Sequence, residues 1–253
     1  MKIALLADTH SNLEALLACL AHAKREGAGM YAFLGDLVGY GADPVACLAV
    51  MAKYADGGAL LVRGNHDEAA LGGLSEHMNP IAREAIYWTR GQLGVGERAF
   101  LSALPMTGRL GDLFLVHASA SKPESWPYVA GRNQAELCMN ASDAGLCVVG
   151  HVHHQLLYWS AKPGPRRATA AVQSFAPTPG VSIPLSRSRR WLAIAGSVGQ
   201  PRDGNNAAAY TLFDSEQRLL TFFRVPYDHH AAARKIIAAG LPDLLATQLL
   251  RGE

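Results

Sequence analysis

The stretch ALLVRGNHD, residues 59–67, is an apolar run that ends at Arg63-Gly64 and then presents an amide, an imidazole and a carboxylate in succession. A short apolar run bounded by glycine reads as a buried strand, and the glycine lets the chain turn sharply where the strand stops. The same pattern recurs along the chain. ALLAD (4–8), YAFLGD (31–36), LFLVH (113–117) and LCVVGHVH (146–153) each place a carboxylate or imidazole where the apolar run ends. Near-continuous apolar strands alternating with helices belong to a parallel or mixed α/β sheet, whose strands finish along one edge. Side chains scattered from Asp8 to His153 could therefore converge there.

The chemistry of that set is specific. Asp8, His10, Asp36, Asn65, His66, Asp67, His117, His151 and His153 combine carboxylate, amide and imidazole donors. A mixed N/O set suits Mn, Fe or Zn, whereas Ca and Mg call for oxygen almost throughout. A dinuclear metal centre is the leading expectation. Each piece alone has a bland reading. Asp8-Thr9-His10 could cap a helix, and His117 could be a satisfied core histidine. Finding all the pieces in order, each after its own strand, is hard to explain as coincidence.

Bulk properties agree with an enzyme of ordinary composition. The chain has 253 residues, 49% hydrophobic and 17% charged, enough to bury a sizeable core. A net charge of +2 gives no whole-molecule field for nucleic acid or membrane. Cys19, Cys47, Cys138 and Cys147 lack C-x-x-C spacing and read as free thiols of a reducing cytosol. The N-terminal apolar run is too short for a signal peptide and meets Asp8, and no stretch approaches a membrane span. The expected location is cytoplasmic, with no membrane partner.

Strands are predicted at 2–7, 30–34 and 59–62, with helices over 11–26 and from Asp43-Pro44 to about 54. Ser11 or Asn12 caps the first helix, whose buried side is read as Leu13, Leu16, Leu17 and Leu20. A helical stretch from 79 to 103 breaks near Gly91, Gly94 and Gly96. Hairpins follow at 105–117, turning at Gly111-Asp112, and at 207–225, turning near Ser215-Glu216. Parallel strands first and antiparallel hairpins later imply two mixed sheets packed together with helices outside. A single domain over 1–253 is expected.

Two segments stand apart. Residues 161–190 read as a loop excursion rich in Pro, Ser, Ala and Arg. No acidic residue occurs from Ala144 to Arg202, while Lys162, Arg166, Arg167, Arg187, Arg189, Arg190 and Arg202 do. The excursion is either a solvated surface loop or a basic flap that attracts an anionic substrate. The tail at 228–251 reads as two amphipathic helices interrupted at Gly240-Leu241-Pro242, able to cover the core or to form a homo-oligomer contact.

The motifs ADTHSN, GDLVGYG, RGNHD, LVHAS and GHVHH, in this order, closely resemble the calcineurin-like metallophosphoesterases over most of residues 1–225. GSVGQPRDG at 196–204 further resembles the small bacterial, phosphodiesterase-like branch of that superfamily. The resemblance implies a four-layer α/β/β/α sandwich of two mixed β-sheets flanked by helices, with a two-metal site at the strand edge. It implies Asp8, His10 and His153 on one metal, Asn65, His117 and His151 on the other, and Asp36 bridging both. It makes His66 the catalytic histidine, with Asp67 able to orient it. The implied reaction is attack of a metal-bridging hydroxide on a small phosphoester, held by two transition-metal ions (Mn, Fe or Zn).

Departures from the superfamily narrow the substrate. Protein Ser/Thr phosphatases carry GDxVDRG and GNHE, but here Gly39-Tyr40 replaces the Asp-Arg pair and Asp67 replaces the Glu. That removes the arginine on which the protein-phosphatase reading depends. Tyr40 could wall the site, and Arg202, just behind the glycine turn, is the candidate phosphate-binding arginine. Ala195 stands where the bacterial branch has proline, and Val152 where relatives often have threonine. The expected function is a phosphodiesterase or nucleotide phosphatase acting on a small phosphorylated substrate. The alternatives are a non-catalytic scaffold with this fold, or a nuclease, although no ordered aromatic and basic array for nucleic acid is present.

Overall fold

A computed structural model describes residues 1–74, 78–162 and 171–253 of the chain. The first half alternates strand and helix: β1 (Lys2–Leu6), α1 (Leu13–Arg25), β2 (Met30–Leu34), α2 (Pro44–Asp56), β3 (Leu60–Val62) and the short α3 (Asn65–Leu71). Helices α4 (Pro80–Gln92) and α5 (Val95–Ala103) follow, then β4 (Thr107–Leu110) and β5 (Leu113–Val116). After α6 (Arg132–Asn140) come β6 (Leu146–Val149), β7 (Gln155–Ala161), β8 (Gln173–Phe175), β9 (Ser182–Pro184) and β10 (Arg189–Ala195). The hairpin β11 (Ala208–Asp214) and β12 (Leu219–Val225) precedes the tail helices α7 (His229–Ala238) and α8 (Asp243–Arg251).

The described strands form two six-stranded mixed sheets, ordered β3-β2-β1-β11-β12-β9 and β4-β5-β6-β10-β7-β8. Strand periodicity assigns each side chain to a layer. Ile3, Leu5 and Ala7 point between the sheets, where they join Leu34, Val62, Leu115, Val148, Ala193 and Phe222 in one core. Ala4 and Leu6 point the other way, into a second core with Leu16, Cys19 and Leu20 of α1 and Leu48 and Met51 of α2. On the far face of the other sheet, Val149, Leu192 and Ile194 pack on Ala135, Cys138 and Met139 of α6. The result is the α/β/β/α sandwich. Each fully buried leucine in these layers stabilises the fold by about 1.5–3 kcal/mol.

Local signals mostly act as expected. Asn12 caps α1, its side chain accepting from the Ala15 N–H at 3.1 Å. Leu16 and Leu20 are buried, but Leu17 is exposed because the buried stripe runs through Ala15, Cys19 and Ala23 and leaves Leu17 beyond its margin. The break between α4 and α5 falls at Leu93-Gly94, where the Glu97 side chain accepts from the Gly94 N–H at 3.0 Å. All four cysteines are buried free thiols, and Cys138 and Cys147 bring their Sγ atoms to 3.8 Å.

Segment 161–190 is not the loop excursion expected. Outside residues 163–170, which lie beyond the described ones and include Arg166 and Arg167, it contributes β8 and β9 to the two sheets. Arg189 stacks over the Trp159 ring at 3.8 Å and Arg190 donates to Asn140 at 2.7 Å, both at the start of β10. The other end of that strand, Ala195, adjoins the candidate site, about 20 Å away at ~3.3 Å per residue. Those two arginines serve the sheet, not an anion flap.

The tail folds back on its own chain. Ala232, Ala233 and Ile236 of α7 and Leu245, Ala246 and Leu249 of α8 form a core with Ala85 of α4. Lys235 ties α7 to the body through Asp43 (2.8 Å) and Glu14 (2.5 Å). Among the described residues, no helix is long and apolar enough to cross a membrane.

Candidate metal centre

Five strands carry the candidate side chains to one edge. Asp8 and His10 follow β1, Asp36 follows β2, and Asn65 and His66 open α3 directly after β3. His117 follows β5, and His151 and His153 follow β6. The two sheets are joined at this edge by the chain leaving β10. Val198 N–H donates to the Ala7 carbonyl and Gly199 N–H to that of Asp8, both at 2.9 Å, while Ser197 Oγ donates to Asp8 O at 2.8 Å. That is the work of GSVG, and it brings the ends of β1 and β10 together.

The backbone at this edge is unusual. Asp8, His10, Asp36, His151 and His153 all sit in the left-handed region, with φ between 48° and 67°. Each such residue costs on the order of 1–3 kcal/mol, and they collect where side chains must be aimed. Here they turn alternate strand-end side chains toward one point. Gly64 is required by close approach: a Cβ there would collide with the Asp36 backbone nitrogen and Oδ1.

Two groups of donors result. The ligand atoms of Asp8, His10, Asp36 and His153 lie within 4.8 Å of one another, as do those of Asp36, His117 and His151. All six residues are buried, and Asp36 belongs to both groups. Asn65 stands with the second group, its Oδ1 3.0 Å from His117 Nε2.

Hydrogen bonding tests whether the set fits a cation. Nδ1 of His10, His117 and His153 lies 3.3, 2.8 and 2.6 Å from the carbonyl oxygens of Val38, Leu34 and Gln200. A carbonyl only accepts, so Nδ1 carries the proton and the Nε2 of a neutral ring presents a lone pair. Yet His10 Nε2 and His153 Nε2 face each other at 3.1 Å, with Asp36 Oδ2 at 3.6 Å from the former and Asp8 Oδ1 at 3.4 Å from the latter. Lone pairs and carboxylate oxygens aimed at one point repel unless a positive charge lies between them. His151 Nε2, buried without a hydrogen-bond partner, is oriented the same way. The two donor groups are thus fit to hold metal cations.

Electrostatics favour the charge states such ions need. Burial drives His10 and His151 well below the usual imidazole range and His66 to about 4, against the pull of Asp36. Burial also opposes charge on Asp36, but His117 and His66 hold its carboxyl well below its ordinary value. His117 is the exception. Burial disfavours its charge, yet the Asp36 carboxylate 3.3 Å away raises it to about 9, so a bound cation competes with that proton.

His66 lies beside the donors without joining either group. Its backbone N–H donates to Asp36 Oδ1 at 2.8 Å, its ring packs 4.8 Å from His10 and 4.5 Å from Tyr40, and its buried Nδ1 has no partner. Asp67 departs from expectation. Its Oδ1 accepts from Leu37 N–H (2.9 Å) and Val38 N–H (3.2 Å), and its Oδ2 from Gly64 N–H (2.9 Å). Both oxygens thus brace the backbone around Asp36 and the start of α3, where the sequence reading has them orient His66. Burial, with Asp36 nearby, raises its pKa to about 7.

A cleft of about 630 Å³ opens over Asn65, His66 and His151. Tyr40 and Arg202 both line it, with the guanidinium 5.5 Å from the Tyr40 ring centre and donating to Gln200 Oε1 at 3.2 Å. Sequence reasoning missed Trp126 and Tyr128, which also line the cleft, and Leu244, Leu245 and Gln248 of α8. The paired aromatics of Trp126-Pro127-Tyr128, in a proline-flanked loop soon after His117, were the available signal.

Comparison with known proteins fits this geometry. The sequence profile of the calcineurin-like phosphoesterases matches residues 1–155. An uncharacterized protein of Methanocaldococcus jannaschii is 34% identical over 257 residues, covering 99% of this chain and 98% of that one. The crystal structure of a metallophosphoesterase from Sphaerobacter thermophilus superposes with a TM-score of 0.86 at 36% identity, covering 100% of both chains. A hypothetical protein from Pyrococcus horikoshii OT3 shares the fold at 19% identity, with a TM-score of 0.75 and coverage of 100% of this chain and 98% of that one. The chain belongs to the calcineurin-like phosphoesterase family.

Proposed function

We propose that this protein is a dinuclear metal-dependent phosphohydrolase that cleaves a small phosphoester, as a phosphodiesterase or nucleotide phosphatase. The observation that carries the reading is Asp36, buried and shared between two donor groups, with the unpartnered Nδ1 of His66 beside them. Asp8, His10, Asp36 and His153 would hold one cation, and Asp36, Asn65, His117 and His151 the second. Two ions of Mn, Fe or Zn supply Lewis-acid activation of water and neutralise charge on the phosphoryl oxygens. His66 lines the cleft beside both donor groups, where its ring would donate a hydrogen bond to the leaving-group oxygen and so stabilise the charge that develops there. Arg202 is placed to bind the phosphoryl group at the cleft, against Tyr40. Asp67 keeps the backbone that carries Asp36 in place.

The four buried free thiols support a reducing, cytoplasmic location. Arg189 and Arg190, engaged far from the cleft, count against a basic nucleic-acid surface. The test is a panel of phosphomonoester, phosphodiester, dinucleoside polyphosphate and cyclic nucleotide, each assayed with added Mn. Turnover of at least one, abolished by chelation, is expected. Flat responses from metal-loaded protein would favour a non-catalytic scaffold instead.

A further inference from the structure

The loop between β5 and α6 is strained. Lys122 and Trp126 bracket a single 3-10 turn, Pro123–Ser125, and both adopt left-handed backbone (φ 58° and 52°). Trp126 is a bulky residue directly before Pro127, a position that sterically favours extended backbone. Such a conformation persists only where the surroundings dictate it, and it concentrates at ligand clamps. The surroundings here are the candidate metal centre. Trp126 meets the His117 ring edge-on at 5.9 Å, and Tyr128 stacks on His151 at 3.9 Å and 17°. The loop is therefore in register with two candidate ligands, and both aromatics line the cleft beyond them.

Another wall of the same cleft belongs to α8, through Leu244, Leu245 and Gln248. Leu244 remains 46% exposed and Tyr128 55%, although both are large and apolar-faced. A cleft with aromatic and aliphatic walls, one guanidinium and a side-chain amide suits a planar ring system attached to a phosphate. Its volume, about 630 Å³, is ample for one nucleoside.

We propose that Trp126 and Tyr128, together with the Leu244–Gln248 face of α8, form a nucleobase subsite, so that the substrate is a nucleoside phosphoester. The assignment rests on the phosphohydrolase reading, since the phosphate is placed at Arg202 and the metal centre. Stacking is sequence-tolerant, because every base has a π-face, so the subsite selects a base over an aliphatic group more strongly than one base over another.

The test measures binding, not turnover. Isothermal titration of the Mn-loaded full chain compares adenosine 5′-phosphonate with propylphosphonate, whose C–P bonds are not consumed. The nucleoside compound binds more tightly by roughly 5- to 150-fold, the range expected for one stacked base. Trp126→Ala removes most of that preference and leaves propylphosphonate affinity unchanged, while Trp126→Phe retains it. Equal affinities in the wild type, a preference that survives Trp126→Ala, or an equal loss for both compounds would overturn the subsite. Ester hydrolysis is scored separately: preference without turnover sinks the proposed function and keeps the subsite, and turnover without preference does the reverse.

Discussion

Gly39→Ala tests the placement of His66 without touching a candidate metal ligand. Gly39 has φ +93°, and a Cβ built on it lies 2.5 Å from His66 Nδ1 and 3.2 Å from Cγ. Ordinary carbon contacts begin near ~3.5 Å, so the imidazole must retreat by about 1 Å. It cannot simply swing aside, because its ring is packed on His10 and Tyr40. A displacement of ~1 Å in a positioned catalytic group lowers turnover by roughly 100-fold. The left-handed backbone adds ~1–2 kcal/mol of destabilisation, a fall in Tm of roughly 2–8 °C for a chain of this size. The assay is steady-state hydrolysis of the best panel substrate with saturating Mn, together with metal content and a thermal melt. Wild-type turnover in a folded Gly39→Ala protein would refute the role assigned to His66. Loss of bound metal would show that the damage reaches the centre itself.

Further outcomes follow from particular contacts. Asp67→Asn replaces one acceptor oxygen with a donor facing buried N–H groups, at a cost of about 1–3 kcal/mol, and lowers Tm by roughly 2–12 °C with proportionate loss of activity. Unchanged stability with a collapse in kcat would instead make Asp67 a partner of His66. Chelation of the metal-loaded protein lowers Tm, since ions at about 1,000 times Kd contribute ~4 kcal/mol, and adding Mn restores it; a melt indifferent to chelator would contradict the site. Arg202→Ala raises KM more than it lowers kcat in steady-state assays, because the Arg202 side chain contacts Tyr40 and Gln200, and its one contact with a candidate ligand, to the His153 carbonyl at 3.4 Å, is made by the backbone N–H that the substitution keeps. Leu249→Ala, in the α7–α8 core, lowers stability by ~2–5 kcal/mol in denaturant unfolding.

Much of this was legible in the chain because the strands advertise themselves. The apolar runs before Asp8, Asp36, Asn65, His117 and His151 are buried on both faces, so they read as continuous and their ends stand out. What escaped depends on tertiary geometry. Strands β8 and β9 are three residues each, too short for a period to show, and they exist because a sheet edge accepts them. Leu17 fits an apolar stripe by spacing, but the sheet covers only the neighbouring side of α1. Asp67 adjoins His66 in sequence yet turns its carboxylate toward the Leu37, Val38 and Gly64 amides, a choice set by the approach of β2 to the start of α3. The contribution of α8 to the cleft requires the tail to return to the β1 edge, which no local pattern encodes.

The central claim is that two cations share Asp36 and that hydrolysis depends on both. Its most direct measurement titrates Mn into metal-stripped protein while following bound metal and phosphoester turnover together. Turnover should rise only as the second equivalent binds, His66→Ala should bind both equivalents and stay inactive, and Asp36→Ala should hold neither tightly. Full turnover in metal-stripped protein, or two tightly held ions in Asp36→Ala, would contradict it.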